Sequence, residues 1–290
     1  MSPRATVAIS FHDEERHLGA AVRSVLNQTF ADFELLLFDD GSSDRSIDVA
    51  RTFLDDPRVR VFPSRERRYL GARLNEALGV ARGELFARMD ADDVMHPSRL
   101  ALQVAHLDRS PRCDAVGSWA ALVGDDEAPF GVIEGVAAPA SGRQLVERGL
   151  IAHATMVARA PWLRSYPYDA SLTRAEDRDL WCRIGRTSRV DVVEQVLYVV
   201  RVLPDSPGFL DDYARGQSDL RRVVLRHGPR LVGMRRTARL LGASMLKQGV
   251  MTAAQHLRAS SRLVLRRGRP PRPEERRRID EALASARQAP

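Results

Sequence analysis

The sequence predicts an α/β protein with a mixed, mainly parallel sheet flanked by helices, and a basic helical extension behind it. Strand-like apolar runs alternate with helical spacings through the first half, acidic residues cluster at the ends of two of those runs, and charge is divided unevenly. Such alternation marks a sheet whose crossovers are helices. The 290 residues are enough for one large domain, or for one domain with an appendage. Residues 1–200 carry 25 Lys and Arg against 30 Asp and Glu, whereas residues 201–290 carry 20 against 8, so the net charge of +7 belongs to the tail. The predicted division is a domain over 1–203 and a helical, Arg-rich extension over 204–290.

Residues 6–11 form a short β-prone run, and His12-Asp13-Glu14-Glu15 then leads into Leu18, Ala21, Val22, Val25 and Leu26 at helical spacing. Residues 34–38 are a continuous apolar strand of the kind buried on both faces, ending in Asp39-Asp40-Gly41-Ser42-Ser43-Asp44. Ile47, Ala50 and Phe53 or Leu54 mark a helix, residues 58–62 a strand, Leu74, Ala77 and Leu78 another helix, and residues 85–89 the strand that delivers Asp90. Pro97 opens a helix carrying Leu100, Val104 and Leu107. Residues 115–119 read as a strand, 124–142 as a long surface loop of the kind that serves as a lid, and 151–157 as a strand containing His153. Leu180 and Ile184 give the inner face of a helix that starts near Glu176 and Asp177.

Asp90, Asp92 and Asp93 place three carboxylates within four residues. They repel one another, and a hard divalent ion such as Mg²⁺ or Mn²⁺ removes that repulsion while accepting oxygen ligands. An acidic turn capping the helix at Pro97 is the ordinary alternative. Ligands of open α/β sheets collect beyond the carboxyl ends of the strands, where both this cluster and Asp39-Asp40 fall, and two such groups on one crevice favour a shared site. Glu176 and Asp177 also suit simple capping, because a helix N-terminus favours negative charge. His153 reads either as a phosphate or acceptor contact or as a core histidine, and Trp181 either as part of an acceptor wall or as core.

In this order and spacing, the pieces resemble family 2 glycosyltransferases of the GT-A, Rossmann-like fold over about residues 5–203. The resemblance is carried by Ser10-Phe11-His12-x-Glu14, Ser24-Val25-Leu26-Asn27-Gln28-Thr29, Asp39-Asp40-Gly41-Ser42-x-Asp44 and Leu74-Asn75…Ala81-x-Gly83-Glu84. It continues through Asp90-Ala91-Asp92-Asp93 ending in Pro97, His153-x-Thr155-Met156-Val157 and Glu176-Asp177-x-x-Leu180-Trp181-x-Arg183. The resemblance implies an inverting transfer of a sugar from a nucleotide-diphosphate donor, UDP- or dTDP-linked, to a hydroxyl of a glycan or lipid-linked acceptor, in cell-surface polysaccharide or glycoconjugate synthesis. It implies a metal, Mg²⁺ or Mn²⁺, at Asp92 and Asp93 and nucleotide contacts from Ser10, Asp40 and Asp90. Asp177 matches the general base, and Glu176, His153 and Trp181 are candidates for acceptor or phosphate contacts. Two departures stand out: His12 replaces the family's Asn, and Ser165-Tyr166-Pro167-Tyr168-Asp169 replaces its glycine-rich turn. A nucleotidyltransferase that makes nucleotide sugars is a different reading. It calls for a Gly-rich phosphate loop with a basic residue where His12-Asp13-Glu14-Glu15 stands. A non-catalytic nucleotide-sugar-binding relative is the third reading, against which Asp92, Asp93 and Asp177 all speak.

The tail reads as helices over residues 211–251 with Leu220, Val223, Val224, Leu240 and Leu241 among arginines, a breaker-rich linker over 266–273 and a short polar helix over 274–286. A basic amphipathic stretch can lie on an anionic membrane surface, where lipid-linked acceptors are found; equally, its arginines can be the wet face of helices packed on the catalytic domain. No nucleic acid partner is expected, since no aromatic residues interleave the charge. With no apolar run of ~20 residues and no signal-peptide core, the expected location is cytoplasmic, with peripheral contact at the inner face of the membrane. Cys113 and Cys182 are expected as buried free thiols.

Overall fold

The structure, a computed structural model, describes residues 2–203, 208–256 and 268–290. Its first half is four parallel strands, β1 (Ala5–Phe11), β2 (Phe33–Asp39), β3 (Val59–Phe62) and β4 (Leu85–Asp90), with crossovers α1 (Leu18–Leu26), α2 (Ser46–Arg51) and α3 (Tyr69–Val80). Ser10 on β1 pairs with Phe38 on one side and Asp90 on the other, so the two acidic strand ends flank it. Alternate residues feed opposite layers. Val7, Ile9, Leu35 and Leu37 pack with α1 and α4 (Arg99–Arg109), whereas Ala8, Leu36 and Phe38 pack with α3.

The second half is mixed. β5 (Val94–Met95), β6 (Ala115–Val123), β8 (Val157–Arg159) and β9 (Val190–Arg201) extend the sheet in the order β3-β2-β1-β4-β8-β6-β9-β5, and β7 (Pro129–Ile133) pairs with β6. β5, β7 and β8 run against their neighbours, and the other six described strands share one direction. From β4 to β5 is four strand spacings, about 19 Å on a flat sheet. Yet the four residue steps from Asp90 to Val94 reach only about 14 Å. The sheet must therefore curl, and the acidic turn at residues 90–93 closes the gap between its central and edge strands.

Two sequence expectations change here. Residues 124–142 are not one open loop: β7 folds back on β6, burying Gly131 and Val132, and Ser141 then caps α5 (Gly142–Glu147) by accepting the Gln144 N–H at 3.1 Å. Residues 151–156 are not strand, because Thr155 N–H and Oγ1–H both donate to Ala152 O, at 2.8 and 2.7 Å, and wind His153–Thr155 into a 3₁₀ turn ahead of β8. β9 carries no chemical motif. Its valines at 190, 192, 193, 196, 199 and 200 have the β-branched character of a strand.

α6 (Ala160–Arg164) and α7 (Glu176–Ile184) complete the sheet-bearing part, and among the described residues three helices follow: α8 (Phe209–Val232), α9 (Met234–His256) and α10 (Pro273–Arg287). α8 packs on α5, α7 and α9, while α10 returns to α1, β5 and β9. The helix expected to be polar has a buried stripe, Ile279, Ala282, Leu283 and Ala286, set against Val94, Val123, Val196 and Val199. Its end is tied down where Arg23 Nε donates to Ala286 O at 2.8 Å and Asn27 to Ser285 O at 2.9 Å. The predicted boundary at residue 204 and the start of the predicted linker at 266–267 lie outside the described residues. Cys113 and Cys182 are free and buried.

Candidate active site

The loops beyond β1 and β2 are clasped together. Asp13 accepts from Ser43 N–H at 2.6 Å, Asp44 accepts from Glu15 N–H at 3.0 Å and Ser46 N–H at 2.9 Å, and Ser46 Oγ accepts from Glu14 N–H at 2.7 Å. Burial pushes the Asp13 and Asp44 carboxyls up, but these hydrogen bonds prevail and hold both below the usual range. Asp40, 4% exposed, accepts from Arg68 N–H at 2.7 Å, Tyr69 N–H at 2.9 Å and Arg73 Nε–H at 2.7 Å. Its carboxylate thus fixes the entry to α3, where Tyr69 adopts φ 62°, and has little capacity left for a nucleoside. Ser10 is half-buried between the two acidic strand ends.

The three carboxylates after β4 differ sharply. Asp90 pairs with the buried Arg88, whose Nη1 lies 3.1 Å from Asp90 Oδ2. Asp93 is 2% exposed and accepts from Arg201 N–H at 2.8 Å and from the Tyr198 hydroxyl, which itself accepts the Asp90 N–H at 3.0 Å. Tyr198 therefore stitches the acidic turn to β9. Because Asp93 serves this contact, it does not stand beside Asp92 as a second open ligand. Asp92 is half-buried, and burial, Asp90 and Glu14 together push its carboxyl up to about 7. Burial is the largest cause and the charges of Asp90 and Glu14 add to it, and a divalent ion bound at the carboxylate would offset both. Among the described residues, no three of these carboxylates bring their oxygens within 4.8 Å of one another. This fits a small hard ion held by one or two carboxylates and completed by phosphate and water oxygens, not an all-protein cage.

Facing this turn is the start of α7. Ala175 takes a left-handed φ of 62°, an uncommon conformation for a residue with a Cβ, and Glu176 and Asp177 follow it. Glu176 is buried, and burial raises its carboxyl pKa despite the nearby Arg88. His153 is also buried, with Nε2 2.8 Å from the Tyr168 hydroxyl and Nδ1 3.5 Å from Glu176 Oε1; burial, then Arg88, push its pKa down to about 3, so the ring is neutral. Arg88 Nε and His153 Nδ1 are buried without a hydrogen-bond partner among the described residues. Trp181 is 0% exposed and meets His153 edge-on at 6.4 Å, which withdraws it from any acceptor wall. Asp177 is half-buried, accepts only the Arg178 N–H at 2.6 Å among the hydrogen bonds found, and has no ion pair with any described residue.

The two sides touch. A Cβ on Gly71 of α3 would lie 3.6 Å from Glu176 Cβ and 3.4 Å from Tyr168 Cβ. Behind α7 stands α8: buried Asp219 accepts from Thr173 N–H and Oγ1–H, both at 2.8 Å, and from Arg174 N–H at 3.0 Å. About two helical turns further along α8, His227 Nε2 lies 2.8 Å from Asp179 Oδ1, and Arg226 pairs with Asp169 at 2.6 Å. Arg88, Tyr168, Tyr198 and Asp219 were not among the residues the sequence singled out. Their partners lie as far as 108 positions away, and no local spacing marks them.

Residues 6–141 match glycosyl transferase family 2, and over 219 residues the chain is 32% identical to EpsE of Bacillus subtilis (strain 168), spanning 71% of this chain and 75% of EpsE. The chain belongs to glycosyltransferase family 2. Its architecture is that of the GT-A enzymes. Staphylococcus aureus TarS 1–349 in complex with UDP-GlcNAc superposes with a TM-score of 0.61 at 17% identity, over 98% of this chain and 80% of that one. The mannosyltransferase PcManGT from Pyrobaculum calidifontis, in complex with GDP-Man and Mn²⁺, superposes with 0.59 at 17% identity, over 99% and 86%. Among the described residues of this glycosyltransferase, no helix is long and apolar enough to cross a membrane.

Proposed function

We propose that this glycosyltransferase moves a sugar from a nucleoside-diphosphate donor, UDP- or dTDP-linked, to a hydroxyl acceptor with inversion, in polysaccharide or glycoconjugate synthesis. The observation that carries this reading is the meeting of two acidic groups across Arg88: Asp90 is ion-paired to it, Glu176 lies within reach of its charge, and Asp177, with no ion pair to any described residue, follows. Asp177 is the base. It takes the proton of the acceptor hydroxyl while the acceptor oxygen bonds to the anomeric carbon and the bond from that carbon to the β-phosphate oxygen breaks, leaving the electron pair on the nucleoside diphosphate. Attack from the face opposite the leaving group inverts the centre. Asp92, with Asp90 beside it, would hold a divalent ion such as Mg²⁺ or Mn²⁺, which neutralises charge on the departing diphosphate when bound. Asp40 supports the nucleotide side indirectly, by fixing residues 68–69, and Ser10 lines the crevice between the strand ends.

Calorimetry of UDP and dTDP, with and without Mn²⁺, tests the donor side. Binding that needs the metal and is lost in Asp92→Asn supports the reading, and metal-independent binding by both proteins removes it. A lipid-linked acceptor is favoured by α9, where Met234, Met245 and Leu246 are 69%, 64% and 69% exposed beside exposed Arg235, Arg239 and Lys247. Such a face suits the surface of an anionic bilayer. Co-sedimentation with anionic vesicles should fall when Met245 and Leu246 are changed to Asp, and equal pelleting of both proteins would leave the acceptor in solution.

A further inference from the structure

Away from the crevice, His106, Cys113 and Asp191 place a ring nitrogen, a thiol sulfur and a carboxylate oxygen within 4.8 Å of one another. They come from three places: the last turn of α4, the connection to β6 and the second residue of β9. Asp191 pairs with Val116, and Ala115 is aligned through Ala158 with Phe86 near the start of β4. The group therefore sits towards the opposite strand ends from Asp90. We propose that these three side chains form a site for a borderline divalent ion of the Zn²⁺ or Co²⁺ class, separate from the hard-ion site at Asp92.

The donor set points to that class. Thiolate and imidazole select Zn²⁺ or Co²⁺ over Mg²⁺ and Ca²⁺, and three protein ligands with one open position make a tetrahedral site. Two ligands are already oriented, since His106 Nε2 and Asp191 Oδ2 lie 2.8 Å apart. The third is buried, with Cys113 Sγ 3.0 Å from Ala115 O. Its loop is held on both sides: Arg159 donates to Cys113 O at 2.9 Å and Leu107 O at 2.8 Å, and Asp114 and Arg189 exchange two bonds of 2.8 Å. The His106 and Asp191 side chains are 24% and 42% exposed, which gives an ion a way in and leaves room for a water as fourth ligand. On binding, the metal–sulfur bond forms as the thiol proton leaves to solvent.

The test is titration of Co²⁺ alone into the full, metal-free chain, in excess Mg²⁺ to occupy the hard-ion site. One equivalent should give a sulfur-to-cobalt charge-transfer band together with tetrahedral ligand-field bands. Cys113→Ser should abolish the charge-transfer band, and Cys182→Ser should retain it. His106→Ala, at a partly exposed position that does not threaten folding, should weaken Co²⁺ binding about 10-fold or more, because even outer-shell changes cost metal sites 10–100-fold. No thiolate band at saturating Co²⁺ would overturn the proposal. So would a band that survives Cys113→Ser, or unchanged affinity in folded His106→Ala, and then His106 and Asp191 are only an ion pair. None of these readouts depends on sugar transfer.

Discussion

On the donor side, the carboxylates are delivered by the ends of parallel strands and held by bonds between neighbouring loops: Asp13, Asp44 and Ser46 join the β1 and β2 loops within one sheet half. On the acceptor side, Glu176 and Asp177 begin a nine-residue helix that follows a strained residue, and what holds that start in place is α8, drawn from the basic tail. One half of the site is thus made by the sheet, the other by a helix outside it. The tail braces the segment that leads into α7.

The largest effect should come from the residue that joins the halves. Arg88→Met leaves Asp90 and buried Glu176 without their shared cation; breaking a buried pair costs 3–5 kcal/mol, and with Asp90 partly exposed to solvent about 3 kcal/mol is expected. Urea unfolding measures it, and a loss well under 1 kcal/mol would mean that the halves are independent. Next are two matched changes, Asp219→Ala behind α7 and Asp44→Ala on the donor loops, each leaving backbone N–H groups unpaired at a cost of about 1–3 kcal/mol. The comparison predicts opposite functional signatures: Asp219→Ala lowers transfer rate and spares nucleotide affinity, whereas Asp44→Ala weakens nucleotide affinity and spares the rate at saturation. Identical signatures from the two variants would erase the distinction.

The smallest effect is on pH. Asp92 is raised to about 7 in the folded chain against 3.8 unfolded, so between these values the folded state binds more protons. Without metal, its contribution to stability is therefore greatest at low pH and is lost as pH rises towards 7. A divalent ion needs the ionised form, so Mn²⁺ should raise the melting temperature progressively more from pH 5 to pH 8. A metal effect that is flat with pH would mean that Asp92 is not the ligand.

Much of the donor half is legible in the sequence because strand-end motifs carry both the fold and the chemistry. Asp40, Asp90 and Asp92 fall where continuous apolar runs stop, and the sheet order then brings them together. What each carboxylate does is less legible. Asp40 and Asp93 have the same side chain as Asp92, yet backbone N–H groups from residues 68–69 and 201 claim them. The acceptor half hides further, since Asp219 and His227 look like any polar residues of a solvated helix until α8 is laid on α7. α10 is the polar helix the sequence leads one to expect, and its buried stripe at 279, 282, 283 and 286 is hidden because arginine and glutamate outnumber it.

In the proposed reaction, Asp177 removes the acceptor proton at a donor site built separately from it. Asp177→Asn tests both parts together, because the amide caps a helix about as well as the carboxylate but cannot take the proton. Nucleoside-diphosphate release coupled to sugar transfer should fall about 10²–10⁴-fold, the usual cost of losing a general base. UDP–Mn²⁺ affinity and the melting temperature, measured on the same preparation, should stay unchanged. Transfer at the wild-type rate by well-folded Asp177→Asn would rule Asp177 out as the base and shift that role to another carboxylate of the α7 N-terminus.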